Sequence, residues 1–115
     1  PACLIASGET TVRVSGAGKG GRNQELVLGA AIVLHGRGPL LITSMGTDGI
    51  DGVSHAAGAF ADQTTIARAD ALGLDATNAL ATNNSTPFFD ALDDLIVTGP
   101  TGTNVMDIQV VLIPE

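Results

Sequence analysis

Tryptophan and tyrosine are absent from these 115 residues, and three phenylalanines supply all the aromatic rings. Platforms that stack single-stranded nucleic acid are built from such rings, so their scarcity argues against that class. Basic residues are scarce too: five Lys and Arg stand against twelve Asp and Glu, a net charge of −7. Nucleic-acid binders normally show a basic face, whereas an acidic surface serves solubility. A single cysteine, Cys3, has no partner for an internal disulfide and points to a reducing compartment. It lies in a strand-like run with no base beside it, so it reads as a small buried strand residue and not as a nucleophile. Long hydrophobic runs are also missing. The longest, Leu26 to Leu34, is too short for a bilayer and contains Gly29, and nothing resembles a signal peptide. The expectation is a soluble cytoplasmic protein with neither a nucleic-acid nor a membrane partner.

What is present is an aliphatic stock of Ala, Val, Leu and Ile within a hydrophobic share of 44%, enough for one core. The whole chain, residues 1–115, reads as a single domain. Pro1-Ala2-Cys3-Leu4-Ile5 enters a strand at once, without an initiator methionine, which suggests a fragment, a processed chain or an excised domain. Ala2 to Ser7 and Thr10 to Ser15 read as strands able to form a hairpin. Asn23 is placed to cap a buried helix reaching about His35. Pro39 to Met45 is the best central strand, and Ala56 to Asp62 is a small-residue stretch, extended or irregular. Thr64 to Leu72 is helical, Asp75 can cap a short helix through Ala81, and Pro87 suits the first turn of a helix reaching Leu92. Leu95 to Thr98 and Ile108 to Ile113 complete the strands. Strands interleaved with helices predict an α/β fold, a three-layer α/β/α arrangement around a mixed sheet. Three glycine-rich loops each follow a strand. If those strands run parallel, the loops meet at their carboxyl ends, where open α/β sheets bind ligands.

The first loop, Gly16-Ala17-Gly18-Lys19-Gly20-Gly21, matches the dinucleotide pattern G-x-G-x-x-G between a strand and a helix. The acid expected at the end of the next strand to hold a ribose is missing. A simpler reading is an anion site: backbone N–H groups freed by glycine, a helix start, and the charges of Lys19 and Arg22. A flexible turn with two solvated cations is the competing reading. In the second loop, Asp48 and Asp51 could hold Mg²⁺, accept a proton from a substrate hydroxyl, or bond their own backbone. His55 reads as a surface or packed residue and His35 as a C-terminal helix residue. The third loop, Thr98 to Asn104, offers hydroxyls and an amide that suit phosphate or sugar, or a self-bonded turn.

Four blocks in order carry a resemblance: Ser7-Gly8-Glu9-Thr10-Thr11-Val12; Gly18-Lys19-Gly20-Gly21-Arg22-Asn23-Gln24-Glu25; Gly46-Thr47-Asp48-Gly49-Ile50-Asp51-Gly52 with Ala57-Gly58-Ala59; and Thr98-Gly99-Pro100-Thr101-Gly102-Thr103-Asn104-Val105. Together with Phe88-Phe89 they resemble the MOFRL domain, the C-terminal part of glycerate 2-kinases related to proteins once labelled hydroxypyruvate reductases. The resemblance implies ATP- and Mg²⁺-dependent phosphorylation of D-glycerate at its 2-hydroxyl. It also implies a cleft shared with a larger Rossmann-like N-terminal domain, absent here, that supplies a catalytic lysine. The family's functional arginine and aspartate fall on Arg22 and Asp48. Arg22 would neutralise the transferring phosphate or the substrate carboxylate, and Asp48 would contact the metal or the attacking hydroxyl. Lys19, Thr101 and Asn104 are the further candidates for phosphate or substrate binding, and no role carries over to His55. The alternatives are a stand-alone ligand-binding or regulatory module, and an NAD(P)-dependent hydroxypyruvate reductase domain.

Overall fold

The computed structural model describes residues 1–114. The elements run β1 (Ala2–Gly8), α1 (Arg22–Leu34), β2 (Leu41–Gly46), β3 (Gly58–Asp62), α2 (Thr65–Ala71), α3 (Ala76–Ala81), α4 (Ser85–Ala91), β4 (Leu95–Ile96) and β5 (Asp107–Ile113). The five strands form one sheet in the order β1-β5-β2-β3-β4. The α/β class expected from the sequence is the class observed.

The pairings differ from the mixed sheet expected: all four are antiparallel. The strand from the C-terminus, β5, inserts between β1 and β2, and β3 separates β2 from β4. Strands β1, β2 and β4 therefore do run in one direction, but none of them is adjacent to another. The expected convergence holds in part: Gly20 and Gly21 meet Gly52, and Gly49 meets Gly99, but the first loop does not follow the strand expected at Thr10 to Ser15, and its Gly16 and Gly18 pack against residues 82–84.

Side chains alternate across the sheet. Ile42, Ser44, Ala59, Ala61, Asp107, Gln109 and Val111 share one face by register. There Ala59, Ala61 and Ile42 join Val27, Leu28 and Ala31 of α1, Ala69 of α2, Ala79 of α3, and Phe88 and Phe89 of α4 in a single core. The two rings meet edge to face at 5.2 Å. Helices thus cover one face, over β2 and β3. Among the described residues no second helical layer covers the other face, where Ile5 is 73% exposed. Cys3 lies on that uncovered face of the edge strand and is exposed, not buried as expected.

The hairpin expected from Thr10 to Ser15 is not formed: β5 pairs with one edge of β1, and the other edge has no partner among the described residues. Residues 9–21 instead cross from the sheet end to the helical layer. There the N–H groups of Ser15 and Gly16 both donate to Asn83 Oδ1 at 2.8 Å. The small-residue stretch supplies β3, where Gly58 lets the backbone of β2 approach. Asp75 caps α3 as its position suggested, its side chain accepting from Asn78 N at 3.0 Å.

Candidate functional site

The end of the sheet where the loops meet is polar and tightly bonded. Asp107 opens β5 and is fully buried, with Gly8 of β1 and Gly46 of β2 beside it in register. Neither neighbour has a side chain, and Arg22, the first residue of α1, reaches Asp107 at this end of the sheet. Its Nε donates to Asp107 Oδ2 at 2.7 Å and its Nη2 to Oδ1 at 2.8 Å. The two-point bond is the geometry that suits arginine and carboxylate best. It also holds the guanidinium pKa above its ordinary value, against a smaller opposing effect of burial. The side chain keeps 27% of its exposure. Three of its five N–H bonds are not used on Asp107, and it lines a groove of about 430 Å³ with Glu9, Thr10, Gly20, Gly21 and Glu25.

Asn23 was expected to cap α1. The structure assigns that work to Asp51. The helix starts at Arg22, and Asp51, fully buried, accepts from Asn23 N at 3.0 Å, Asn23 Nδ2 at 3.1 Å and Gln24 N at 2.9 Å. Asn23 is itself buried and accepts from Ser44 Oγ at 2.6 Å. A Cβ at Gly21 would collide with the Asp51 carboxylate, so that glycine serves the approach of loop to cap. The anion site expected at the helix start is consequently occupied in part by the protein's own carboxylate. The dinucleotide-like glycines have a similar explanation. A Cβ at Gly16 would strike the backbone of Thr82, and one at Gly18 the Asn83–Asn84 segment. Glu25 does not pair with Arg22; its Oε1 accepts from Asn83 Nδ2 at 2.9 Å.

Asp48 is half-buried in the loop after β2. Its Oδ1 accepts from Ile50 N at 3.1 Å, a local turn bond. A Cβ at Gly46 would lie 3.1 Å from Asp48 Oδ1 and 3.7 Å from Asp107 Oδ1, so both carboxylates border one glycine. Thr101 joins the second and third loops: its N donates to Asp48 O at 3.2 Å and its Oγ1 to Thr47 O at 2.5 Å. Asn104 Oδ1 accepts from Met106 N at 3.0 Å within its own turn. Lys19 is exposed, and its backbone, not its ammonium, makes the contacts seen, to Asn84 Oδ1 and Thr86 N. Arg22, Asp48 and Thr101 thus gather at one end of the sheet. Asp107 and Thr47 also belong to this end, and Asn83 lines the groove from the helical layer; none of the three was singled out from sequence. A carboxylate heading an apolar strand was the one available signal for Asp107.

Residues 2–107 match the MOFRL family. The chain belongs to the MOFRL family. It is similar to the D-glycerate 2-kinase of Thermotoga maritima, with 48% identity over 98% of this chain and 27% of that protein. It is also 49% identical to the glycerate kinase of Homo sapiens, over 93% of this chain and 22% of that one. A protein named putative hydroxypyruvate reductase in Agrobacterium vitis is 45% identical over 98% of the chain and 30% of its own length. The crystal structure of the Thermotoga maritima glycerate kinase superposes with a TM-score of 0.96 at 47% identity, covering 99% of this MOFRL chain and 28% of that one. A Pyrococcus horikoshii protein superposes at 0.91 with 38% identity, covering 98% of this chain and 26% of that one. The chain therefore spans about a quarter of the length of these relatives.

Proposed function

We propose that this chain is the C-terminal domain of an ATP-dependent glycerate 2-kinase. In this reading it contributes Arg22 and Asp48 to a cleft where a phosphoryl group passes to the 2-hydroxyl of D-glycerate. The observation that carries the reading is Arg22, held by Asp107 at the groove with three N–H bonds to spare. Identity to glycerate kinases over almost the whole chain supports the reaction class.

Phosphoryl transfer asks for positioning and charge neutralisation more than for covalent chemistry by the protein. Arg22 is suited to contact the transferring phosphoryl oxygens or the glycerate carboxylate, while Lys19, Thr101 and Asn104 border the same loops. The lysine implied by the family and the remaining cleft wall belong to the larger Rossmann-like domain. Among the described residues, no group of three His, Cys, Asp or Glu could cage a metal. That fits Mg²⁺, which commonly takes one or two carboxylates and completes its shell with water and phosphate. Asp107 is committed to Arg22, so Asp48 is the carboxylate suited to such a shared ion, whose charge would offset that of the phosphates. The protein is proposed to work in the cytoplasm; no described helix is long and apolar enough to cross a membrane.

The test uses the full-length enzyme containing this domain. Arg22→Ala should lower kcat by about two to three orders of magnitude with its fold retained; unchanged turnover by a folded variant would remove Arg22 from the site. Asp48→Asn can keep the turn bond to Ile50, so stability should hold. The Mg²⁺ concentration giving half-maximal rate should rise if Asp48 touches the ion, or kcat alone should fall if it takes the hydroxyl proton. Rates, Mg²⁺ midpoint and melting curve all equal to wild type would leave Asp48 a turn residue only.

A further inference from the structure

Asp107 is fully buried, flanked in register by two glycines, and bonded to Arg22 through both oxygens. The strand start that carries it is itself fixed. Met106, just before it, sits at φ 70°, and its carbonyl accepts from both Thr47 N at 3.0 Å and Thr47 Oγ1 at 2.7 Å. Thr47 precedes Asp48, and Thr101 bonds to both Thr47 and Asp48 through their carbonyls. One short run of backbone therefore fixes Asp107, which holds Arg22, and Asp48, which borders Gly46 with it.

We propose that Asp107 is a positioning residue for phosphoryl transfer, acting through Arg22 by fixing the plane and reach of its guanidinium. This rests on the kinase reading above. A negative charge beside an anion-binding arginine does nothing to tighten ground-state binding of an anion. Its benefit is orientation: two parallel bonds remove the rotations of a long side chain before the substrate arrives. Asp107→Asn turns one of the two acceptors into a donor facing the Arg22 N–H groups, and removes a charge. The expected signature is a split. In the full-length kinase, kcat should fall about 10- to 100-fold, while KM for D-glycerate and for ATP should stay level or fall. In the Arg22→Ala background the same change should have little further effect on kcat, because the group it positions is gone.

The experiment combines these kinetics with side-chain NMR of the ¹⁵N-arginine-labelled full-length protein. In wild type, the Arg22 Nε–H should exchange with water more slowly than that of Arg13, and Asp107→Asn should abolish the protection. Wild-type exchange as fast as at Arg13 would overturn the proposal even if the variant failed to fold. So would unchanged kcat in Asp107→Asn, or an equal loss of kcat from Asp107→Asn when Arg22 is already Ala. Protection at Arg22 in a wild-type protein that does not phosphorylate D-glycerate would sink the kinase reading instead, and with it the catalytic part of this proposal, leaving only the hold on Arg22.

Discussion

Glu25 stands in the first turn of α1 and bonds Asn83 from the wall of the groove. Burial pushes its pKa above the ordinary carboxylate value and the nearby Asp51 adds to this, while the bond from Asn83 offsets part of the rise. The native state therefore holds the Glu25 proton to higher pH than the unfolded chain does. Stability from this group is complete below the ordinary carboxylate pKa and declines as pH rises through the elevated one. Glu25→Gln keeps an acceptor for Asn83 and cannot ionise. Its melting temperature should exceed that of wild type at pH 7, and the gap should close below about pH 4, near the unfolded Glu value. A gap of constant size across that range would show that the ionisation of Glu25 is not involved. The sequence pointed to Arg22 and Asp48, but it said nothing of their partners. Asp107 is 85 positions from Arg22, and only the insertion of β5 between β1 and β2 brings the two together.

At the scale of elements, α1 depends on a cap that comes from outside its own sequence. Asp51 lies 28 positions from Asn23 and 27 from Gln24, yet takes the N–H groups that a preceding Ser, Asp or Asn would usually take. Asp51→Ala should destabilise the fold by about 3 kcal/mol, since it strands buried donors that now reach a charged acceptor; a denaturant midpoint within error of wild type would contradict this. The contrast with α3 explains which helix starts were legible. Asp75 bonds three residues ahead, within the reach of a local pattern, whereas the cap of α1 depends on how a distant loop packs. The expected hairpin failed for a related reason: Thr11, Val12 and Val14 favour an extended chain, but the segment leaves the sheet and its end is tied to Asn83, 68 positions away from Ser15. Helices α2 to α4, each closed by local signals, fell within a residue or so of their expected bounds.

Across the whole molecule, the direction of β1, β2 and β4 matters more than which strands touch. The segments after these strands leave from one end of the sheet even though every adjacent pair is antiparallel, and there Gly20 and Gly21 meet Gly52 while Gly49 meets Gly99. Periodicity told strand from helix for most segments but carried no information on strand order, so the convergence of loops was legible while the antiparallel pairing was not. In the proposed function this assembly of loops is one wall of a kinase cleft whose other wall lies in a larger domain. The test is ³¹P NMR of ATP, Mg²⁺ and D-glycerate incubated with the full-length protein and, separately, with the 115-residue chain. A 2-phosphoglycerate signal is expected with the full-length protein and none with the chain alone. Phosphoglycerate made by the chain alone, or none made by the full-length protein, would contradict this reading.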